Sequence, residues 1–234
     1  DGQVAGLSAT QVKAIETADV AAMTTTQLQS ISSAAIAQLS TAQVAALTTA
    51  QIDDLTTAQV KALTTAQMKA LSSEQVAQLT TAQVNALSGV QVAALDAGDL
   101  AGLSVAKVQA FTTAAVAAMT TAQVAALDTA QAAGLTTAQV RALTTTQVAA
   151  LTTTQAEKLG TAQLAALTSS QVKALETADL AKLDTAQLRA ITTAAIGGLD
   201  SAQVASLSTL QVSSLTDGQV AGLSATQVKA IETA

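Results

Sequence analysis

The sequence predicts an all-α solenoid of very short helices, one per eight residues, and three observations predict it. A large apolar residue returns at every eighth position without interruption, from Leu7, Ile15, Met23 and Ile31 through to Ile231. A Ser, Thr or Asp follows at nearly every return, with Gln three residues further on, as in Ser40 and Gln43, Thr48 and Gln51, Asp128 and Gln131, Asp200 and Gln203. The third observation is angular. An α-helix advances about 100° per residue, so eight residues leave the apolar side chain about 80° further round at each repeat. A continuous helix scatters these side chains over every face, whereas heptads and 11-residue repeats hold a seam. The helix therefore breaks once per octad.

The places of the octad take their roles in order, with TTAQVAAL at residues 120–127 as the type unit. The first place, Ser, Thr or Asp, is a helix N-cap whose side-chain oxygen accepts a first-turn backbone N–H. The fourth, Gln, reaches back to the N–H of the capping residue and completes a capping box. The fifth-place Val and the eighth-place Leu of the preceding octad, such as Leu39 with Val44 and Leu79 with Val84, have the spacing of a hydrophobic staple. The sixth place holds most of the basic residues (Lys13, Lys61, Lys69, Arg141, Lys173, Arg189, Lys229) and is read as the solvent face. Gly late in the octad, at Gly6, Gly102, Gly134 and Gly222, fits a helix C-terminus, where positive φ costs little.

Helices of about one and a half turns do not persist alone in water, because nucleation is costly. Burying on the order of 400 Å² of apolar surface per octad gains about 10 kcal/mol. Ordering eight residues costs about 12 kcal/mol. These terms nearly cancel, so stability is expected to grow with repeat number and to fail in short fragments. The alternative architecture is a β-solenoid. Against it, Ala and Gln are poor strand formers, and no regular Gly, Asn or Asp corners mark the bends.

Composition narrows the function classes. The 234 residues include no Pro, Cys, His, Trp or Tyr, and Phe111 is the single aromatic. A formal charge of -6 with isolated Lys and Arg argues against nucleic acid. Thr, Ser and Gln in every octad leave no run of about 18 apolar residues, which argues against membrane insertion. With neither His nor Cys, and with every Ser and Thr repeated in one role, nothing marks an enzyme, a cofactor or a small-molecule substrate.

A longer period overlies the octad. Gln gives way to Asp at Asp19, Asp99 and Asp179, and to Ala at Ala35, Ala115 and Ala195, each set 80 residues apart. Residues 217–234 copy residues 1–18 without a mismatch, including the uncommon Gly2, Ala9, Lys13, Ile15 and Glu16, and bring the next ETA to Glu232. The expectation is one continuous array over 1–234, a segment of a longer tandem-repeat protein with 216-residue blocks. A superhelical turn of about 3.4 octads returns the special octads to one side.

The carboxylate pairs Glu16 with Asp19, Asp96 with Asp99 and Glu176 with Asp179 have the ligand type that calcium takes. Helix starts favour carboxylates without any metal, so no metal site is assigned. Asp53 and Asp54 are read as a solvated pair. The Thr ladder invites an ice-binding reading, but its first Thr is used as a cap and its second is replaced at Gly89, Ala97 and Val105.

Through its Leu-Thr-Thr-Ala-Gln-Val-x-Ala-Leu units, the whole chain resembles the octapeptide tracts of very large secreted repeat proteins of proteobacteria, often labelled adhesins or haem-utilisation proteins. The resemblance implies export and a cell-surface or extracellular place. The expected function is structural and non-catalytic, a fibre, filament, stalk or sheath element that self-associates; the alternative is an adhesin spacer or surface-binding module.

Overall fold

The computed structural model describes residue 4 and residues 6–231. Gly2 and Glu232, which belong to the duplicated ends, lie outside the described residues. Among those described there are 28 α-helices of four to seven residues, from Ala9–Lys13 to Ala225–Ile231, and no strand. The chain is an all-α solenoid.

One octad shows how the break is made. Thr120 is extended, with φ -72 and ψ 159, and the helix Thr121–Ala126 follows it. Gln123 N–H donates to Thr120 Oγ1 at 3.1 Å, and Thr120 N–H donates to Gln123 Oε1 at 2.8 Å. The helix closes when Leu127 N–H donates to the Val124 carbonyl at 3.3 Å. Leu127, at φ -57 and ψ 137, then leads straight into the next extended cap, Asp128. Two extended residues thus suffice to turn one helix into the next.

Gly102 and Gly222 stand at helix C-termini, as expected, but the freedom to adopt positive φ is not used there. No described residue has positive φ, and Gly102 and Gly222 stay right-handed at φ -77 and -78. The physical reason is that the exit is made by the extended eighth-place residue, so no left-handed residue is needed.

The chain divides into two compact units, residues 1–119 and 120–234. Within each, a helix packs on the helix three octads later. In the first unit, Thr57–Ala62 lies against Thr81–Ala86, and Gly89–Ala94 against Thr113–Ala118. In the second, Thr129–Gly134 lies against Thr153–Lys158, and Thr161–Ala166 against Thr185–Ala190. The core is the fifth and eighth places: Val44, Val84 and Val172 are fully buried, and Leu39, Leu79 and Leu127 nearly so. The basic sixth-place residues are all exposed, as expected. No helix of the described residues is long and apolar enough to cross a membrane.

Candidate functional site

The most specific geometry in the molecule is repeated at every turn of each unit, and it is built from the fourth-place glutamine. The capping box uses only Oε1. The Nε2 of the same side chain points the other way, into the preceding turn, and donates to carbonyls at the C-terminus of the helix four octads earlier. In the first unit, Gln83 Nε2 reaches the carbonyls of Ile52 at 2.9 Å, Asp53 at 3.1 Å and Leu55 at 2.7 Å. In the second, Gln171 Nε2 reaches those of Val140 at 2.9 Å and Leu143 at 2.7 Å. Each of these amides therefore satisfies an orphan N–H at one helix start and orphan carbonyls at another helix end, whereas Gln11 and Gln27, in the first octads, have no helix four octads earlier among the described residues. From Gln43 onward these side chains are almost completely buried, with Gln83 only 2% exposed, so the bonds are shielded from water.

Helices pack three octads apart and the glutamines bond four octads apart, so a turn takes between three and four octads within each unit. The expected figure of about 3.4 lies inside that interval.

The ladder was missed by the capping-box reading, although one signal for it is in the sequence. A capping box accepts Glu as readily as Gln, yet no fourth place holds Glu. A carboxylate lacks the donor that the second bond requires. The one basic substitution obeys the same rule: Lys107 stands at a fourth place, and its Nζ donates to the Ala77 carbonyl.

The acidic octads depart from the expected arrangement. Glu16, Asp96 and Glu176 make no side-chain cap, unlike Asp128, Asp184 and Asp200, whose Oδ1 atoms accept the fourth-place N–H at 2.7 to 2.8 Å. Instead the inner carboxylate takes the glutamine's place, and Asp99 Oδ2 accepts Asp96 N–H at 3.0 Å. Asp99 Oδ1 also accepts from Ser73 Oγ at 2.6 Å, three octads earlier. No cluster of three or more His, Cys, Asp or Glu is found among the described residues. Asp54 is a further correction: it is half-buried rather than merely solvated, accepting from the Thr25 hydroxyl through its carboxylate and from Gln29 Nε2 through its carbonyl. The cause is its seventh place, which faces the preceding turn.

A groove of about 480 Å³ in the second unit is lined by Ser169, Lys173, Asp200, Ser201 and Ser224 around Gly197 and Gly198. Its carboxylate is already occupied as a cap, with Gln203 N–H at 2.8 Å from Asp200 Oδ1. The glycines serve close approach, since a Cβ at Gly198 falls 2.4 Å from the Ser169 carbonyl oxygen. Gly198→Ala is therefore expected to destabilise the protein by about 1–3 kcal/mol through forced backbone movement. At Gly102 the nearest atom to an added Cβ is 3.5 Å away. Gly102→Ala is expected to be neutral or stabilising by up to about 1 kcal/mol. Urea unfolding of the two variants checks the contrast.

Fold and site together define a tandem-repeat solenoid whose repeated unit is a capped helix and whose recurrent polar contact joins its own turns. The sequence model of the ALTTAQ repeat family matches residues 12–49, 45–73, 52–89, 65–97, 92–129, 124–161 and 172–209. The chain belongs to the ALTTAQ repeat family. No curated protein matches it.

Proposed function

We propose that the chain is a structural element without a catalytic role, a length of extracellular or cell-surface fibre, filament, stalk or sheath set by the number of octads. The observation that supports this reading most is the glutamine ladder. One inter-turn contact recurs from octad to octad, so material is added without changing the chemistry, and no octad of the described residues gathers a nucleophile, a base and a positioning group. The extracellular place rests on the resemblance to secreted octapeptide-repeat proteins.

Self-association is part of the proposal. Two large apolar side chains stand out at third places otherwise mostly Ala: Val90 in the first unit, 68% exposed, and Leu210 in the second, 70% exposed. The second reading, an adhesin spacer or surface-binding module, is favoured by the exposed second-place hydroxyls such as Thr57 and Thr137. Electron microscopy of the purified protein distinguishes them. Long uniform filaments are expected for an assembling element; short monodisperse rods overturn assembly and favour a spacer. Turnover of any substrate that is abolished by one point substitution overturns both.

A further inference from the structure

The ladder's register aims each fourth-place side chain at carbonyl oxygens 31 and 28 residues earlier, as Gln83 is aimed at Ile52 and Leu55. At Asp179 the same register leads to Val148 and Leu151, at the end of the helix Thr145–Ala149. An ionised carboxyl there has no donor to offer. The Leu151 carbonyl, in a residue 6% exposed, receives no hydrogen bond from the described residues. Asp179 itself is 1% exposed. Its Oδ2 accepts Glu176 N–H at 3.3 Å, while its Oδ1 is buried with no hydrogen-bond partner. A buried anion with one oxygen left without a donor is costly, and a proton relieves that cost by turning that oxygen into a donor.

We propose that Asp179 is a proton-gated rung of the ladder. When protonated, its Oδ1–H donates to the oxygens of the Leu151–Thr153 turn and ties the octads 144–151 and 176–183 together. When ionised it breaks that tie, so the joint loosens as pH rises.

Asp99, in the same register, shows what the alternative looks like. Its Oδ1 already has a donor, the Ser73 hydroxyl at 2.6 Å, which stabilises the carboxylate. The residue corresponding to Ser73 in the Asp179 octad's neighbourhood is Thr153. Its hydroxyl favours the charged form from nearby but lies outside hydrogen-bond geometry with Oδ1. A β-branched side chain has fewer rotamers with which to turn its hydroxyl toward the carboxyl.

The surrounding charges agree. Burial pushes the Asp179 carboxyl above its ordinary value of 3.8; Thr153 and the Glu176 N–H act against the rise, and the Glu176 carboxylate adds to it. Lys182 on the same octad is exposed, and on the helix Thr153–Lys158 the two charged residues, Glu157 and Lys158, pair with each other. Asp200, ahead of the helix Ser201–Ala205, is committed as a cap. The helices Thr145–Ala149 and Thr209–Ser214 carry no charged residue. The sign follows from linkage: a carboxyl raised in the folded state contributes most stability below 3.8 and loses it as pH rises through the folded value.

The experiment is a carboxyl-carbon NMR titration of the full chain, with Asp179→Asn to assign the resonance and Thr153→Ser as the decisive variant. The Asp179 midpoint is expected above 3.8 in the parent and is expected to fall toward 3.8 in Thr153→Ser, which supplies the missing donor. In urea unfolding, the parent is expected to lose stability relative to Asp179→Asn as pH rises from 3.8 through the Asp179 midpoint that the titration measures. A parent midpoint at or below the ordinary value, or one that Thr153→Ser leaves unmoved, overturns the proposal. So does calcium chloride that stabilises the parent but not Asp179→Asn at neutral pH, since a cation then fills the place assigned to the proton.

Discussion

Gln83→Ala is expected to lower the stability of the protein by roughly 3–5 kcal/mol, more than any single cap substitution, because one side chain closes two separate helix ends. Its removal leaves the Thr80 N–H without Oε1 and the Leu55 carbonyl without Nε2, both in part-buried or buried surroundings. Each unsatisfied buried group costs about 1–3 kcal/mol, and the space left by the side chain adds to that. Urea unfolding followed by the helical signal measures the loss. Gln83→Glu separates the two halves of the role, since it keeps the acceptor for Thr80 N–H and loses only the donor. A loss below about 1 kcal/mol for Gln83→Ala means that the ladder is not what holds successive turns together.

The second large effect concerns length. A peptide of three octads, residues 56–79, is expected to show no helical signal in far-UV circular dichroism at room temperature. Within the full chain, Thr57–Ala62 packs on Thr81–Ala86, and Gln59 Nε2 donates to the Leu28 and Ile31 carbonyls at 2.8 Å each. None of those partners is in the peptide. What remains is a set of capped helices of five or six residues, far below the length of about 12–15 at which isolated helices become marginally stable. Helicity is expected to appear once a fragment holds octads both three and four apart, because only then do packing and ladder bonds both form. A helical three-octad peptide contradicts this and shifts the stabilisation from stacking to the caps.

The caps were legible because they are local. Thr120 and Gln123 are three residues apart, and their reciprocal bonds need no knowledge of the rest of the chain. The buried faces were legible for the same reason, since Val124 and Leu127 repeat with the caps. Local rules reached less far where the turn of the solenoid intervened. Gly102 caps a helix C-terminus, as its place suggests, but it stays right-handed, and the extended Ser104 starts the next helix. The carboxylates of Asp96 and Glu176 were assigned to capping, but the inner Asp99 and Asp179 take over the contact with the cap N–H.

By itself the sequence determined the all-α class, the break at every eighth residue and the residues of the core, because each depends on contacts within about four positions along the chain. Only the tertiary structure decided which octads meet, and hence that Gln83 bonds to Leu55, that Gly198 lies against Ser169, and that Asp179 Oδ1 is buried without a hydrogen-bond partner. The physical reason is the uniformity of the repeat. Near-identical octads offer near-identical partners at every separation, and the choice of three and four octads is made by how the helices pack through space.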